Sequence, residues 1–302
     1  MKATRLPDYP FSSNYLKISQ FRYHYIDEGQ GEPILMVHGN PTWSYYYRHL
    51  ISALSTNYRT IAVDHIGCGL SDKPESSEYA FTVEQRVSDL EAFVREMDFQ
   101  RPITLVVHDW GGMIGMGLAT RHPEMISKIV VLNTAAFTNP HNKKIPWQLS
   151  LVRNTPLGPL LVQGLNAFAL GATYTCCTRT PMPTKIRKAY ISPYNNWKNR
   201  LATLRFVQDI PLSPSDKGYD FIAEIENSLT LLQDKPVMIC WGEKDFVFDH
   251  GFLQKWLKIF PSAEVHRFPD CGHYILEDAS SDIIPLIQSF LEVKKENAVG
   301  KN

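Results

Sequence analysis

An apolar, β-branched run, Ile103 to Val107, stops at His108, Asp109 and Trp110, and Gly111 and Gly112 then open a helical run, Met113–Arg121. The run reads as a buried strand, and the two glycines let the backbone turn sharply while a helix packs close behind it. The turn therefore carries a carboxylate, Asp109. A carboxylate is a weak, stable nucleophile, suited to displacing a leaving group from carbon, whereas a serine at the same place suits acyl carbon. The plain alternative is that Asp109 only N-caps the helix that follows.

The rest of the chain alternates in the same rhythm. Tyr15–Asp27 reads as a strand or hairpin, and Pro33–Val37 as a strand that runs into His38-Gly39-Asn40-Pro41-Thr42-Trp43. A helix is expected over Ser44–Ser55, and Thr60–Val63 is a strand followed by a glycine-containing turn. The pair Gly67 and Gly69 lacks the third glycine of a phosphate loop. Thr82 leads an amphipathic stripe that reaches Met97. Further strands are expected at Lys128–Leu132, Pro236–Trp241 and Glu264–Phe268, with helices at Phe252–Phe260 and Ser281–Val293. Strands alternating with helices imply a mostly parallel sheet with right-handed crossovers.

Between residues 137 and 233 the rhythm breaks, with clustered prolines and no β-rich run of useful length. This segment is expected to be a helical cap inserted between two parts of one core, residues 1–136 and 234–302. Apolar side chains within it, such as Trp147, Leu161, Phe168 and Phe206, are candidates to line a slot for a hydrophobic substrate, and each has the alternative of simply forming the cap's own core.

Bulk properties narrow the function. Lys plus Arg and Asp plus Glu each number 31, so the chain lacks the basic excess of a nucleic-acid binder. The five cysteines are odd in number and lack metal-ligand spacing, which suits free thiols in a reducing compartment. No leader with an apolar centre precedes Pro10, and no apolar run reaches membrane-spanning length. The tail from Lys294 is polar and expected to fray. A cytoplasmic location is the expectation, with no metal and no cofactor.

Two more candidates stand at carboxyl ends of expected strands: Asp245, after Trp241-Gly242, and His273, after Cys271-Gly272. The chain order nucleophile, acid, histidine is that of the α/β-hydrolase fold, whose nucleophile elbow matches the turn at Asp109. Asp109 would displace a leaving group and form an ester. His273 would take a proton from water, and Asp245 would hold the imidazole. Backbone N–H groups of Trp110 and of Asn40 or its neighbour would stabilise an oxyanion. His108 competes for the role of base, although a residue on the strand before the turn points away from it. Asp249 competes with Asp245.

The stretches His38–Trp43, His108–Gly112, Trp241–Asp245 and Gly272-His273 resemble the haloalkane dehalogenases over nearly the whole chain. That resemblance implies that the side-chain N–H groups of Asn40 and Trp110 hold the departing halide. Its third subfamily is the nearest branch, since Asn133 stands at the other position for the acid and cannot serve as one. Within that branch, Val131–Phe137, Pro193–Arg200, Arg205–Leu212 and Asp245–His250 resemble the β-lactone decarboxylases of bacterial long-chain olefin biosynthesis. The implied activity is conversion of a cis-3-alkyl-4-alkyloxetan-2-one to a cis-alkene and carbon dioxide, with Asn40 and Trp110 holding the leaving carboxylate. The implied substrate is small and hydrophobic. Assembly with other enzymes of olefin biosynthesis, or with further copies of the chain, stays open. Haloalkane dehalogenase is the alternative activity. Epoxide hydrolase is a further one, needing two cap tyrosines, for which Tyr174, Tyr190 and Tyr194 are available.

Overall fold

The computed structural model describes residues 6–140 and 144–292. The readings made of the tail beyond 292, and of the residues before 6, lie outside the described residues. Eight strands form one sheet: β1 (Asn14–Ile18), β2 (Phe21–Glu28), β3 (Pro33–Val37), β4 (Arg59–Val63), β5 (Ile103–Asp109), β6 (Ile126–Thr134), β7 (Val237–Gly242) and β8 (Glu264–Phe268). Their order is β1-β2-β4-β3-β5-β6-β7-β8. The β1–β2 and β2–β4 pairs are antiparallel and the remaining pairs parallel. This is the mostly parallel sheet that the alternation of strands and helices predicts.

The sheet is buried on both faces because successive side chains of each strand enter different cores. Leu35, Val37, Leu105, Val107, Ile129, Val131 and Ile239 face a core shared with α2 (Val83–Met97) and α3 (Trp110–Arg121). Ile34, Met36, Val106, Val130, Leu132, Met238 and Cys240 face the other core, with α1 (Arg48–Leu54) and α11 (Ile275–Glu292). Each fully buried Val, Leu or Ile contributes about 1.5–3 kcal/mol. The α2 helix starts as its sequence suggests, with Thr82 Oγ1 accepting from the Gln85 N–H at 3.3 Å.

The α3 and α11 helices begin earlier than the sequence predicts. The α3 helix starts at Trp110, because Asp109 alone makes the corner with φ of 52°. The α11 helix starts at Ile275 and is kinked at Ala279, where φ is −139°. Its first turn is held from outside the helix: the Asp278 carboxylate accepts from the N–H groups of Gly272 (2.8 Å) and Thr178 (3.0 Å).

The stretch between β6 and β7 contains α4 (Trp147–Asn154), α5 (Leu157–Pro159), α6 (Ala167–Thr175), α7 (Thr184–Ile191), α8 (Leu201–Gln208) and α9 (Tyr219–Ser228). It has a small core of its own, made by Leu149, Val152, Val162, Leu204 and Val207. Toward its end, Ile222 and Ile225 of α9, with Leu229 and Leu232, join the core beside α3. The α10 helix (His250–Ile259) lies between β7 and β8 and is N-capped by Asp249, whose Oδ1 accepts from the Gly251 N–H at 3.0 Å.

Candidate active site

Parallel strands deliver their carboxyl ends to one edge of the sheet, and the loops there carry the polar side chains. Asp109 ends β5 in a conformation with φ of 52° and ψ of −129°, a region that side chains rarely adopt and that costs about 1–3 kcal/mol. The corner is held by its surroundings. Thr134 Oγ1 donates to the Asp109 carbonyl. A Cβ on Gly111 would strike the Val37 carbonyl and one on Gly112 would strike Thr134, so both positions need glycine.

The structure brings Asp109, His273 and Asp245 into one chain of contacts. His273 Nε2 lies 3.4 Å from Asp109 Oδ2, and His273 Nδ1 lies 2.8 Å from Asp245 Oδ2. All three residues are buried, with Asp109 only 6% exposed. Burial opposes the charge on His273, but the Asp245 and Asp109 carboxylates override it and raise the imidazole to about 10. Burial likewise opposes the Asp109 charge, and the His273 hydrogen bond and charge still hold that carboxyl below its ordinary value. Both shifts favour an ion pair between the Asp109 carboxylate and the His273 imidazolium.

Asp245 is fixed from three sides. Its Oδ1 accepts from the N–H groups of Val247 (2.7 Å) and Phe248 (3.1 Å), and its Oδ2 accepts from Asn133 Nδ2 (3.0 Å). Asn133 in turn joins β6 to β7: Oδ1 accepts from the Gly242 N–H at 2.7 Å, and Nδ2 donates to the Gly242 carbonyl at 3.0 Å. Sequence reasoning set Asn133 aside as unable to be the acid and missed this positioning role. The signal for it was present, an Asn at a strand's carboxyl end beside the strand that carries the acid.

The loop after β3 closes over Asp109. The Asn40 backbone N–H donates to Asp109 Oδ1 at 2.5 Å. The Asn40 side chain turns the other way, donating through Nδ2 to the Thr203 carbonyl on α8 at 3.1 Å, while its Oδ1 is buried without a partner. The Thr203 hydroxyl is also buried and unpartnered. Among the described residues the Trp110 indole N–H has no hydrogen-bond partner, and its ring packs 5.4 Å from that of Phe206. Helical geometry sets Thr203 between Phe206, which faces the main core, and Leu204 and Val207, which face the insertion's own core. Unmet donors and acceptors thus gather at the seam between core and insertion, beside Asp109.

The competing candidates have other work. The His108 ring stacks on Tyr46 at 4.3 Å, and its Nε2 bonds the His273 carbonyl at 2.9 Å. Burial, helped by the positive His273, pushes His108 down to about 3, so the ring is neutral and serves as a prop. His38 supports the loop from below, through Nδ1 to the Gly39 carbonyl (2.7 Å) and Nε2 to the His65 N–H (3.1 Å), and burial lowers it to about 4. Of the tyrosines that an epoxide hydrolase would need, Tyr190 donates to Glu277 at 2.6 Å and Tyr194 to the Thr42 carbonyl at 3.3 Å, while Tyr174 is 61% exposed. Trp147, expected as a slot residue, is 71% exposed; the α4 stripe buries Leu149 and Val152 and leaves the indole outside.

A family model described as the alpha/beta hydrolase fold matches residues 32–280. A cis-3-alkyl-4-alkyloxetan-2-one decarboxylase of Shewanella oneidensis is 54% identical over 93% of this chain and 89% of its own length. A protein of the same name from Xanthomonas campestris pv. campestris is 44% identical, covering 95% of this chain and 98% of its own. Among solved structures, the haloalkane dehalogenase DatA of Agrobacterium tumefaciens C58 superposes with a TM-score of 0.84 at 24% identity, over 93% of this chain and 96% of its own.

Proposed function

Since the chain belongs to the alpha/beta hydrolase fold family, we propose that it is an enzyme of that family with an aspartate nucleophile, and that it decarboxylates a cis-3,4-dialkyl β-lactone to a cis-alkene and carbon dioxide. The observation that carries the choice of substrate is the 54% identity, over 93% of the chain, to a protein named for that activity. A buried carboxylate nucleophile on a strained turn, paired with an imidazolium, supports the chemistry.

One Asp109 oxygen attacks C4, the ring carbon that bears the lactone oxygen. The C4–O bond breaks and its electron pair leaves with the freed carboxylate. The bond from C3 to that carboxylate then breaks, and its pair forms the C3–C4 double bond. The C4–O bond to Asp109 breaks in the same step, and its pair returns to the aspartate. No water is consumed and no proton is gained or lost. Attack inverts C4 and sets the Asp109 oxygen anti to the carboxylate, so anti elimination leaves the two alkyl groups cis.

His273 acts here as a fixed cation that keeps Asp109 ionised while Asp245 holds the ring. The Trp110 indole N–H, the Thr203 hydroxyl and the second N–H of the Asn40 amide take the departing carboxylate, while the other Asn40 N–H stays on the Thr203 carbonyl. Three donors suit an anion with two oxygens. Residues 137–233 form the cap in this scheme, with α9 at its end already seated on the core. A cytoplasmic location, and assembly with other enzymes or copies of the chain, belong to the same reading.

A haloalkane dehalogenase would use the same residues with one difference in bookkeeping. Its alkyl ester is hydrolysed, so oxygen from water enters the Asp109 carboxylate. Turnover in water enriched in oxygen-18, followed by mass spectrometry of the peptide carrying Asp109, separates the two. A cis-β-lactone is expected to give alkene and leave the peptide unlabelled. Label in Asp109 after lactone turnover, or bromide release faster than alkene formation, would sink the proposal.

A further inference from the structure

The zero net charge conceals a segregation. From Met125 to Gln208 the chain carries eleven Lys and Arg and no Asp or Glu, although it has 31 of each sign in all. Every acidic residue therefore lies outside that stretch. The same region carries seven of the eleven large apolar side chains that are exposed among the described residues, too many to be the scattered singles of an ordinary surface.

Leu160 and Trp197 adjoin one another. A Cβ added at Gly164 would lie 3.3 Å from Leu160 Cδ1 and 3.6 Å from Trp197 Cζ3, so the two flank one exposed glycine. Leu165, 64% exposed, follows directly. The α6 helix then starts at Ala167 and contains no charged residue. Leu170 and Tyr174 sit one turn apart on its exposed side, above Gly171, where an added Cβ would meet nothing. The α7 helix packs beside it, with the Arg187 guanidinium 4.3 Å from the Tyr174 ring centroid. Lys185 and Lys188 are exposed on α7 and have no ion pair among the described residues.

A surface helix that is apolar all round needs a counterpart for its outer side. Arg153, Arg179 and Lys198 pair with acids from elsewhere in the chain, but Lys185, Arg187 and Lys188 of α7 have no acidic partner among the described residues, so a counterpart that meets them is negative. Trp, Tyr and Leu set among Lys and Arg is the composition of a face that lies at the boundary between lipid headgroups and acyl chains. Nucleic acid would satisfy the cations and leave the leucines unpartnered. We propose that the outer face of the insertion, centred on Leu160, Leu165, Trp197 and α6, docks on an anionic lipid surface. Docking does not depend on the chemistry proposed above, which adds only a reason for it: a lactone bearing two alkyl chains concentrates in lipid.

The test is flotation of the full chain with vesicles of phosphatidylcholine alone or with about a third phosphatidylglycerol. Binding is expected to be at least about tenfold tighter to the anionic vesicles and to weaken at least about tenfold as salt rises from about 50 to about 500 mM. Two double variants, Leu160→Ser with Trp197→Ser and Lys185→Glu with Lys188→Glu, are each expected to weaken it at least about tenfold with unchanged circular dichroism and melting temperature. Four results would overturn the proposal: no binding to anionic vesicles, equal binding to both compositions, binding that ignores the apolar pair, or binding that ignores the charged pair. If light scattering instead shows a dimer that the Leu160 and Trp197 substitutions dissolve, with no vesicle binding, the occupant is a second copy and the lipid assignment is wrong.

Discussion

Replacing Asp109 with Asn tests the charge state of the site, beyond the loss of the proposed nucleophile. His273 lies 2.8 Å from one carboxylate and 3.4 Å from the other, and together they raise it to about 10 against the effect of burial. Taking an effective dielectric constant of about 20, a unit charge pair at the longer distance is worth roughly 5 kcal/mol. At about 1.4 kcal/mol per pH unit, that is between about three and four units. The amide oxygen still accepts a hydrogen bond and returns part of this, so His273 in Asp109→Asn is expected to titrate about two to three units lower than in the native chain. The assay is nitrogen-detected NMR of the His273 ring across the neutral and alkaline range, with near-ultraviolet circular dichroism to check the fold. A ring that is already neutral at pH 7 in the native chain, or one whose titration moves by less than half a unit, would refute the reasoning. The consequence reaches the choice of mechanism. Esterification removes the same charge as the amide does, so His273 becomes a competent base only in the ester; a dehalogenase needs that base to hydrolyse the ester, and the decarboxylation proposed above does not.

The raised His273 also sets a stability profile: its contribution is complete below the unfolded value near 6.5 and is lost as pH rises through about 10. Urea unfolding should therefore show the native chain losing more stability than Asp109→Asn between about pH 7 and 10, and parallel losses would contradict the assignment. In Gly39→Ala the new methyl would land on the Asp109 carboxylate, so single-turnover alkene formation should fall at least about a hundredfold; a loss below threefold would mean that the loop and nucleophile are not packed as described. Thr203→Val removes a buried hydroxyl that has no protein partner, so its melting temperature should be unchanged or higher. If that hydroxyl meets the substrate, kcat/KM falls about tenfold, the weight of one hydrogen bond; a drop in both quantities would make it a structural group.

The parts legible in the sequence were those in which short-range chemistry and strand periodicity coincide. Runs such as Ile103–Val107, short, β-branched and closed by a glycine turn, read as strands buried on both faces, and the polar groups that follow parallel strands gather at one edge. What escaped was set by contacts between distant residues. The Asn40 amide turns toward Thr203, a partner 163 positions away. The start of α11 depends on Asp278 accepting from Gly272 and Thr178. Trp147 was expected inside on composition, but the α4 stripe turns Leu149 and Val152 inward instead. The run without acidic residues needed no structure to be found. The total of 31 against 31 averaged it away.

Asn133 has a consequence for how such a site can change over time. It holds Gly242 by both ends of its amide and gives one N–H to the Asp245 oxygen that bonds His273. Two carboxylates in these places would stand about 3 Å apart, and like charges so close end by sharing a proton. The ends of β6 and β7 are thus alternative seats for one negative charge, and the amide in the empty seat is what makes the other tenable. Moving the acid from β7 to β6 requires Asn133→Asp and Asp245→Asn together, since the first alone crowds the site with charge and the second alone strips His273 of its anchor. A lineage can cross between the two arrangements only through an impaired intermediate, so each arrangement tends to persist once adopted. The double exchange should accordingly turn over substrate faster than either single variant, and a doubly exchanged protein no better than the worse single would show that the two seats are not equivalent.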